Sequence, residues 1–540
     1  MAGPRSLRLR RWQKQALDLL VDGARTDFLA VATPGAGKTT FALAAAARSL
    51  AEHPGRRLVV VAPTSHLKVQ WAAAAARLGI VLDTSWATST RLPRSSHGVV
   101  VTYQQVAGNP AALASAASNA YVVLDELHHA GDERSWGDAC RVAFERSPFR
   151  LALSGTPFRS DTRAIPFVRY RLDEAEPDYE YGYGEALRDG RVVRPVYFPR
   201  IGGFMEWVAP DGAQLAAGFD DELDRARSAQ RLRTALSVDG EWLPSVLGQA
   251  NRQLHVLRAE QPDAGGLVIA IDQEHAHAVS DLLDRRFRAR SIVALSDDPR
   301  ASDHIARFAT SNAPWLVAVR MVSEGVDIPR LRVGVYASTT TTELFFRQAV
   351  GRFVRWTGAA PKEKAYVFIP DDPRLRTYAH TIAEQRRHSL RREPTEDRPV
   401  DPEALDDQVH EDDEQQLSLF AALSAVADDG PHPVASVFDE DVPEWDLEPD
   451  DDSLLVDLVA PALPGGAAAI EARESVDALR QHNAGLAAEL VRFTGLSHRH
   501  VNGELNRRSG IRRMAEATVA ELERRAAAAD KWLDDLRRTG

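Results

Sequence analysis

Residues 29 to 41 read Leu-Ala-Val-Ala-Thr-Pro-Gly-Ala-Gly-Lys-Thr-Thr-Phe, and they set what the rest of the chain is expected to form. The apolar run from Phe28 to Ala32 has the character of a buried strand, and an Ala-rich run with helical spacing continues from Lys38 through Leu50. Between them lie Pro34, Gly35, Ala36 and Gly37. The two glycines let the backbone wrap an anion, and the N–H groups opening the next helix face it with the favourable end of the helix dipole. Strand, glycine loop, helix is the order of the phosphate-binding pattern G-x-x-x-x-G-K-[ST], with Ala32 standing where the first glycine usually is. Lys38 is expected to reach the β- and γ-phosphates of ATP, and Thr39 to hold Mg2+ through its hydroxyl, with Thr40 beside it. A nucleoside triphosphate site is the first expectation.

The chain has 540 residues, long enough for about three or four domains. It holds no apolar run of about 20 residues, so no membrane span is expected. Arg5, Arg8, Arg10 and Arg11 lead into an amphipathic helix expected over residues 7–22, not into the apolar segment of a signal peptide. Cys140 is the sole cysteine, which excludes an internal disulfide and any four-cysteine zinc or iron–sulfur subdomain. A cytoplasmic protein is expected. The net charge of −11 conceals an asymmetry: Glu393 to Ser453 holds 22 Asp or Glu against one Arg, Arg398, leaving about +10 on the remainder. A basic body permits a nucleic-acid partner, and a merely solvated surface explains it equally well.

Further motifs follow in order. Arg57 to Ala62 has a buried-strand pattern and runs into Pro63-Thr64-x-x-Leu67-x-x-Gln70-Trp71; Val99-Val-Val-Thr102-Tyr103-Gln104 repeats the strand-then-polar-turn arrangement. Tyr121-Val-Val-Leu-Asp125-Glu126-Leu127-His128-His129 places adjacent carboxylates at the C-terminal end of a strand, where open α/β sheets bind ligands. Asp125 there suits the Mg2+ shell, and Glu126 suits the orientation and deprotonation of an attacking water. Leu153-Ser154-Gly155-Thr156-Pro157 ends another strand pattern. A second strand-rich region opens at Gly266 and carries Ser323-Glu324-Gly325-Val326-Asp327 and Gln348-Ala-Val-Gly351-Arg352-Phe-Val-Arg355. Arg352 and Arg355, three apart, are expected on one helical face, placed to clamp γ-phosphate charge as an arginine finger does.

From Leu9 to Arg355 the chain resembles superfamily-2 helicases and translocases, motif by motif. Its Asp-Glu-x-His, Ser-Gly-Thr-Pro and Gln-x-x-Gly-Arg-x-x-Arg forms are similar to the DNA-handling branch, which includes transcription-repair helicases and restriction-enzyme motors, more than to DEAD-box RNA helicases. The resemblance implies two tandem RecA-like P-loop domains with ATP and Mg2+ in the cleft between them. It implies adenine reading by Arg10 and Gln13, nucleotide contacts at Gly325 and Asp327, and catalytic parts for Gln348, Arg352 and Arg355. It further implies coupling of hydrolysis to movement by His128, Ser154 and Thr156, and nucleic-acid contacts by Pro63, Thr64, Gln70, Thr102 and Tyr103. DNA, duplex or forked, is the expected partner. RNA, a restriction or defence complex, and a non-catalytic scaffold are the competing readings.

The expected division is an ATP-binding lobe over 1–192, a bridging segment over 193–262, a second lobe over 263–392, a disordered acidic linker over 393–465 and a small all-α domain over 466–540. Within the linker, Gln416-Leu417-Ser418-Leu419-Phe420 matches a short peptide that bacterial proteins insert into the sliding clamp, and it also fits a short amphipathic helix. Leu490 to Arg508 has the rhythm of a helix-turn-helix, with Arg499, Arg507, Arg508, Arg512 and Arg513 on or after its second helix. An oligomerisation bundle fits the same pattern.

Overall fold

The computed structural model describes residues 5–23, 25–86, 92–128, 134–155, 165–171, 174–295, 298, 300–319, 328–360, 362–390, 421–427, 454–458, 466–511, 517 and 519–539. Two parallel sheets dominate, as the strand and helix patterns predict. In the first lobe the strand order is Tyr179–Tyr181, Asp27–Ala32, Phe149–Ser154, Ala120–Leu124, Arg57–Ala62, Gly98–Thr102 and Leu82–Asp83, with every neighbouring pair parallel. These strands are apolar on both faces because helices cover both. Along the strand leading to the P-loop, Phe28, Ala30 and Ala32 bury on one side with Phe41 and Leu50, while Leu29 and Val31 bury on the other with Leu113 and Phe144.

The second lobe has the order Val196–Tyr197, Ala365–Pro370, Leu331–Tyr336, Gly265–Ala270, Trp315–Val319 and Ser291–Ala294, again all parallel, with Arg200–Ile201 also pairing with Ala365–Pro370. The chain enters this lobe by a short path. Tyr179–Tyr181 edges the first sheet, the helix Tyr183–Arg188 follows, and Val196–Tyr197 edges the second. Tyr181, Leu187, Val193 and Val196 of this path join Phe41 and Phe353 in one buried cluster, so apolar packing is continuous between the lobes. The region expected to bridge them instead lies on the second lobe. An antiparallel pair, Gly203–Val208 with Gln214–Gly218, and the helix Trp242–Glu260 bury Met205, Trp207, Trp242 and Leu247 against Val268 and Val317.

Two local expectations change. The N-terminal helix runs only over Arg11–Asp22, and Arg5–Leu9 is a strand. Leu7 and Leu9 alternate with Arg8, a two-residue period, and a ladder partner selects that period over the helical one. The partner is Leu454–Leu458, antiparallel, from within the segment read as a strandless acidic linker. A second stretch of that segment, Ala421–Ala427, pairs antiparallel with Gly203–Val208. Most of the acidic segment, including Gln416 to Phe420, lies outside the described residues. The C-terminal region is helical, as expected, over Gly466–Thr494, His498–Ser509 and Val519–Thr539. Gly495 (φ 66°) makes the first turn, and the Ser497 hydroxyl caps the second helix by accepting from the His500 N–H. Val501 and Leu505 bury against Leu486, Leu490, Ala529 and Leu533. Among the described residues no helix is long and apolar enough to cross a membrane.

Candidate nucleotide site in the cleft between the lobes

The glycine loop has the predicted conformation. Gly35 and Gly37 take φ of 83° and 95°, values that side chains disfavour, and the helix Lys38–Glu52 starts directly after Gly37. The start of the first helix grips this loop from outside. Arg10 Nη1 donates to the carbonyls of Gly35 (3.3 Å) and Ala36 (3.0 Å), Trp12 Nε1 donates to Ala36 O (3.1 Å), and Gln13 Nε2 donates to Gly37 O (2.9 Å). A trans peptide holds each C=O antiparallel to the next N–H. Tying the Ala36 and Gly37 carbonyls to the first helix therefore turns the N–H groups of Gly37 and Lys38 away from it. Gln13 is buried, and its Oε1 accepts the Arg10 backbone N–H at 2.8 Å. The sequence places Trp12 between Arg10 and Gln13 without assigning it a role.

The carboxylate pair faces the loop. Lys38 Nζ lies 3.3 Å from Glu126 Oε1 and donates to Ala32 O at 3.1 Å. Glu126 takes φ 47°, a costly turn for a side chain of its size, which lets two successive carboxylates leave the strand end in different directions. Its Oε2 accepts the Gly155 N–H at 3.0 Å. Asp125 is buried, its N–H donating to Val61 O (2.9 Å), its carbonyl accepting the Tyr103 hydroxyl (2.9 Å) and its Oδ2 accepting the Trp71 indole N–H (2.7 Å). Burial, and next the charge of Glu126, push the Asp125 carboxyl up to about 6, against the pull of Trp71 and Lys38. A buried carboxylate beside a second one is poised for a cation. Asp125 oxygen and the Thr39 hydroxyl at the helix start are the hard donors Mg2+ prefers. Among the described residues no cluster of three or more His, Cys, Asp or Glu could hold a metal, so a Mg2+ here would complete its shell with water and phosphate oxygens.

The second lobe reaches this site. Gln348 Nε2 lies 2.8 Å from His128 Nε2, and His128 Nδ1 lies 3.4 Å from Ser154 Oγ and 3.7 Å from Glu126 Oε2. The amide nitrogen of Gln348 can only donate, which makes His128 Nε2 the acceptor and assigns the ring proton to Nδ1. Gly351 sits against the loop so tightly that an added Cβ would meet Pro34 Cγ at 2.6 Å, and Arg355 lies alongside Gly35, with its Cα 3.7 Å from where a Cβ would stand. Burial, then the charge of Arg10, bring the Arg355 guanidinium down to about 10.

Arg352 and Arg355 do not share a helical face. The helix is Glu343–Gly351, Arg352 is its C-cap, and Arg355 forms an antiparallel bridge with Val193. Burial of the Phe353 ring under Gly334, where an added Cβ would meet Phe353 Cζ at 2.6 Å, draws the chain off the helix axis. The neighbouring Arg194 makes a fully buried ion pair with Glu363 at 3.0 Å, which fixes the turn from which Arg355 emerges.

The expected nucleic-acid contacts separate. Thr64 and Thr102 are helix N-caps, accepting from Leu67 N (3.4 Å) and Gln105 N (3.2 Å). Pro63 is half-buried and Gln70 is exposed, within 2.9 Å of His66 Nε2. Tyr103 is a correction: its ring is fully buried and its hydroxyl is spent on Asp125 O, so it presents no surface to a strand. Thr156, Gly325 and Asp327 lie outside the described residues.

Residues 6–159 match the family described as "Type III restriction enzyme, res subunit". The chain is 44% identical over 431 residues to an uncharacterised protein of Mycobacterium leprae, a match covering 78% of this chain and 72% of that protein. It is 49% identical over 394 residues to an uncharacterised protein of Mycobacterium tuberculosis, covering 71% of this chain and 65% of that relative's length. A more distant similarity, 24% over 352 residues, covers 62% of this chain and 49% of a Halobacterium salinarum protein provisionally named DNA 3'-5' helicase Rad25. The chain thus belongs with the uncharacterised mycobacterial proteins in one family.

Proposed function

We propose that this chain is an ATP-dependent DNA motor, a helicase or duplex translocase. The observation that carries the reading is the His128–Gln348 contact of 2.8 Å, because it joins the surroundings of Glu126 in one lobe to a helix of the other. Lys38 and the loop N–H groups bind the triphosphate. Mg2+, when bound by Thr39 and Asp125, neutralises phosphate charge. Glu126, held by the Gly155 N–H, takes the proton of the attacking water, and Arg352 and Arg355 stand on the opposite lobe for the charge developing on the γ-phosphoryl group. Hydrolysis then changes what holds the lobes together, and Pro63, Thr64 and Gln70 carry the movement to a DNA backbone. Support for DNA over RNA comes from the restriction-enzyme family of residues 6–159 and the DNA-helicase name of the archaeal relative. The same family description favours, as a second reading, service as the motor of a complex whose nuclease lies in a partner, which co-purification would reveal.

The test is the steady-state ATPase rate with duplex DNA, single-stranded DNA and RNA. DNA is expected to stimulate it, and Glu126→Gln to lower it by about 10²–10⁴-fold. Stimulation by RNA alone would overturn the DNA assignment and leave the catalytic residues in place. Hydrolysis insensitive to Glu126→Gln would remove the motor reading itself.

A further inference from the structure

Trp71 lies on the helix Ser65–Arg77, directly after the exposed Gln70, yet it is one of the largest fully buried side chains in the protein. Its indole N–H does not meet a backbone carbonyl, as the buried indoles of Trp12 and Trp242 do. It donates to Asp125 Oδ2 at 2.7 Å, a short bond to an ionisable oxygen. Asp125 is thereby held through its backbone, N–H to Val61 O and carbonyl to the Tyr103 hydroxyl, and through its carboxylate, which accepts the Trp71 indole N–H and the Glu126 backbone N–H. Neither Val61 nor Tyr103 touches the carboxylate through these bonds. Of the two groups that bond the carboxylate, the Glu126 N–H is its chain neighbour, and the indole ties its orientation to a separate helix.

We propose that Trp71 is a positioning residue for the metal-holding carboxylate. It occupies Asp125 Oδ2, holds the plane of the carboxylate toward the cation, and links that carboxylate to the helix capped by Thr64. The inference rests on the reading of Thr39 and Asp125 as Mg2+ donors given above. Groups behind a metal ligand hold its orientation, and their loss costs about 10–100-fold in metal affinity. Because the same helix starts in the Pro63–Thr64 turn, a shift of that turn on a DNA backbone would reach Asp125 through one rigid ring.

The test uses the full chain and a fluorescent N-methylanthraniloyl ATP, with nucleotide affinity measured across a Mg2+ titration. Trp71→Phe keeps the ring and removes the N–H. It is expected to raise the Mg2+ midpoint about tenfold or more, while affinity without Mg2+ stays within twofold of the parent. Introduced into Asp125→Asn, it should change nothing further. An unchanged Mg2+ midpoint in a folded Trp71→Phe protein, with the parent still Mg2+-dependent, overturns the proposal and leaves the nucleotide site standing. A parent protein whose nucleotide binding ignores Mg2+ overturns the site reading, and this inference with it. Should Trp71→Phe fail to fold, the Trp71 indole resonance in the 15N-Trp-labelled parent decides. It must move on Mg2+ addition and lose its downfield position in Asp125→Asn, and a resonance indifferent to both refutes the link.

Discussion

Asp125 shows how one residue can serve the site at the expense of the fold. Burial and the adjacent Glu126 favour its protonated form, with a midpoint near 6. A cation requires the ionised form. At limiting Mg2+ the ATPase rate should therefore climb as pH passes about 6 and level above it, and excess Mg2+ should move the midpoint to lower pH. The stability sign follows from the same shift. With the folded value raised above the ordinary one, the stabilising contribution is full below the ordinary carboxylate range and is lost as pH rises through about 6. Asp125→Asn should accordingly raise the thermal midpoint at pH 8 while abolishing hydrolysis, as scanning calorimetry beside an ATPase assay would show. Lys38, Asp125 and Glu126 were legible because each belongs to a short motif with fixed spacing. Trp12 and Trp71 stand within such motifs, but their roles were not legible, because only the fold shows which polar atom an indole N–H meets.

At the scale of elements, two glycines in tight places separate packing from function. Gly266 lies on a central strand of the second sheet, and an added Cβ would run into the Trp315 ring. Gly266→Ala overpacks that core, and a loss of about 1–3 kcal/mol in denaturant unfolding is expected. Gly351 faces Pro34 across the cleft at 2.6 Å by the same measure. That contact joins two lobes and lies inside neither core, so Gly351→Ala is expected to leave unfolding nearly unchanged and to lower the ATPase rate. Equal destabilisation by both substitutions would contradict this division. The arrangement of Arg352 and Arg355 has a related cause. Their spacing of three suits a helix, but the preference of a few residues for helix is weak beside the burial of Phe353 and the Arg194–Glu363 pair.

Among the described residues, the two large parallel sheets are joined by continuous apolar packing and by a polar contact at the cleft. The apolar part, through Tyr181, Leu187 and Val193, sits beside the chain connection. The polar part, His128 with Gln348, sits beside the Glu126 carboxylate. Coupling of the lobes through this contact predicts non-additivity: His128→Ala and Gln348→Ala should each slow DNA-stimulated hydrolysis, and the pair should slow it little more than either alone. A coupling energy on the order of 0.5–3 kcal/mol is expected from the double-mutant cycle, and one near zero would assign the movement to other contacts.

The sequence alone determined the two-lobed α/β architecture, the phosphate loop and the paired carboxylates. These rest on local periodicity and on motifs whose backbone geometry is set within a few residues. Tertiary structure decided the rest. It turned Arg5–Leu9 into a strand by supplying Leu454–Leu458 as a partner, drew Ala421–Ala427 onto Gly203–Val208, buried Tyr103, and brought Gln348 to His128. Each of these outcomes depends on the energy of contacts between residues far apart in the chain, which no window of sequence contains.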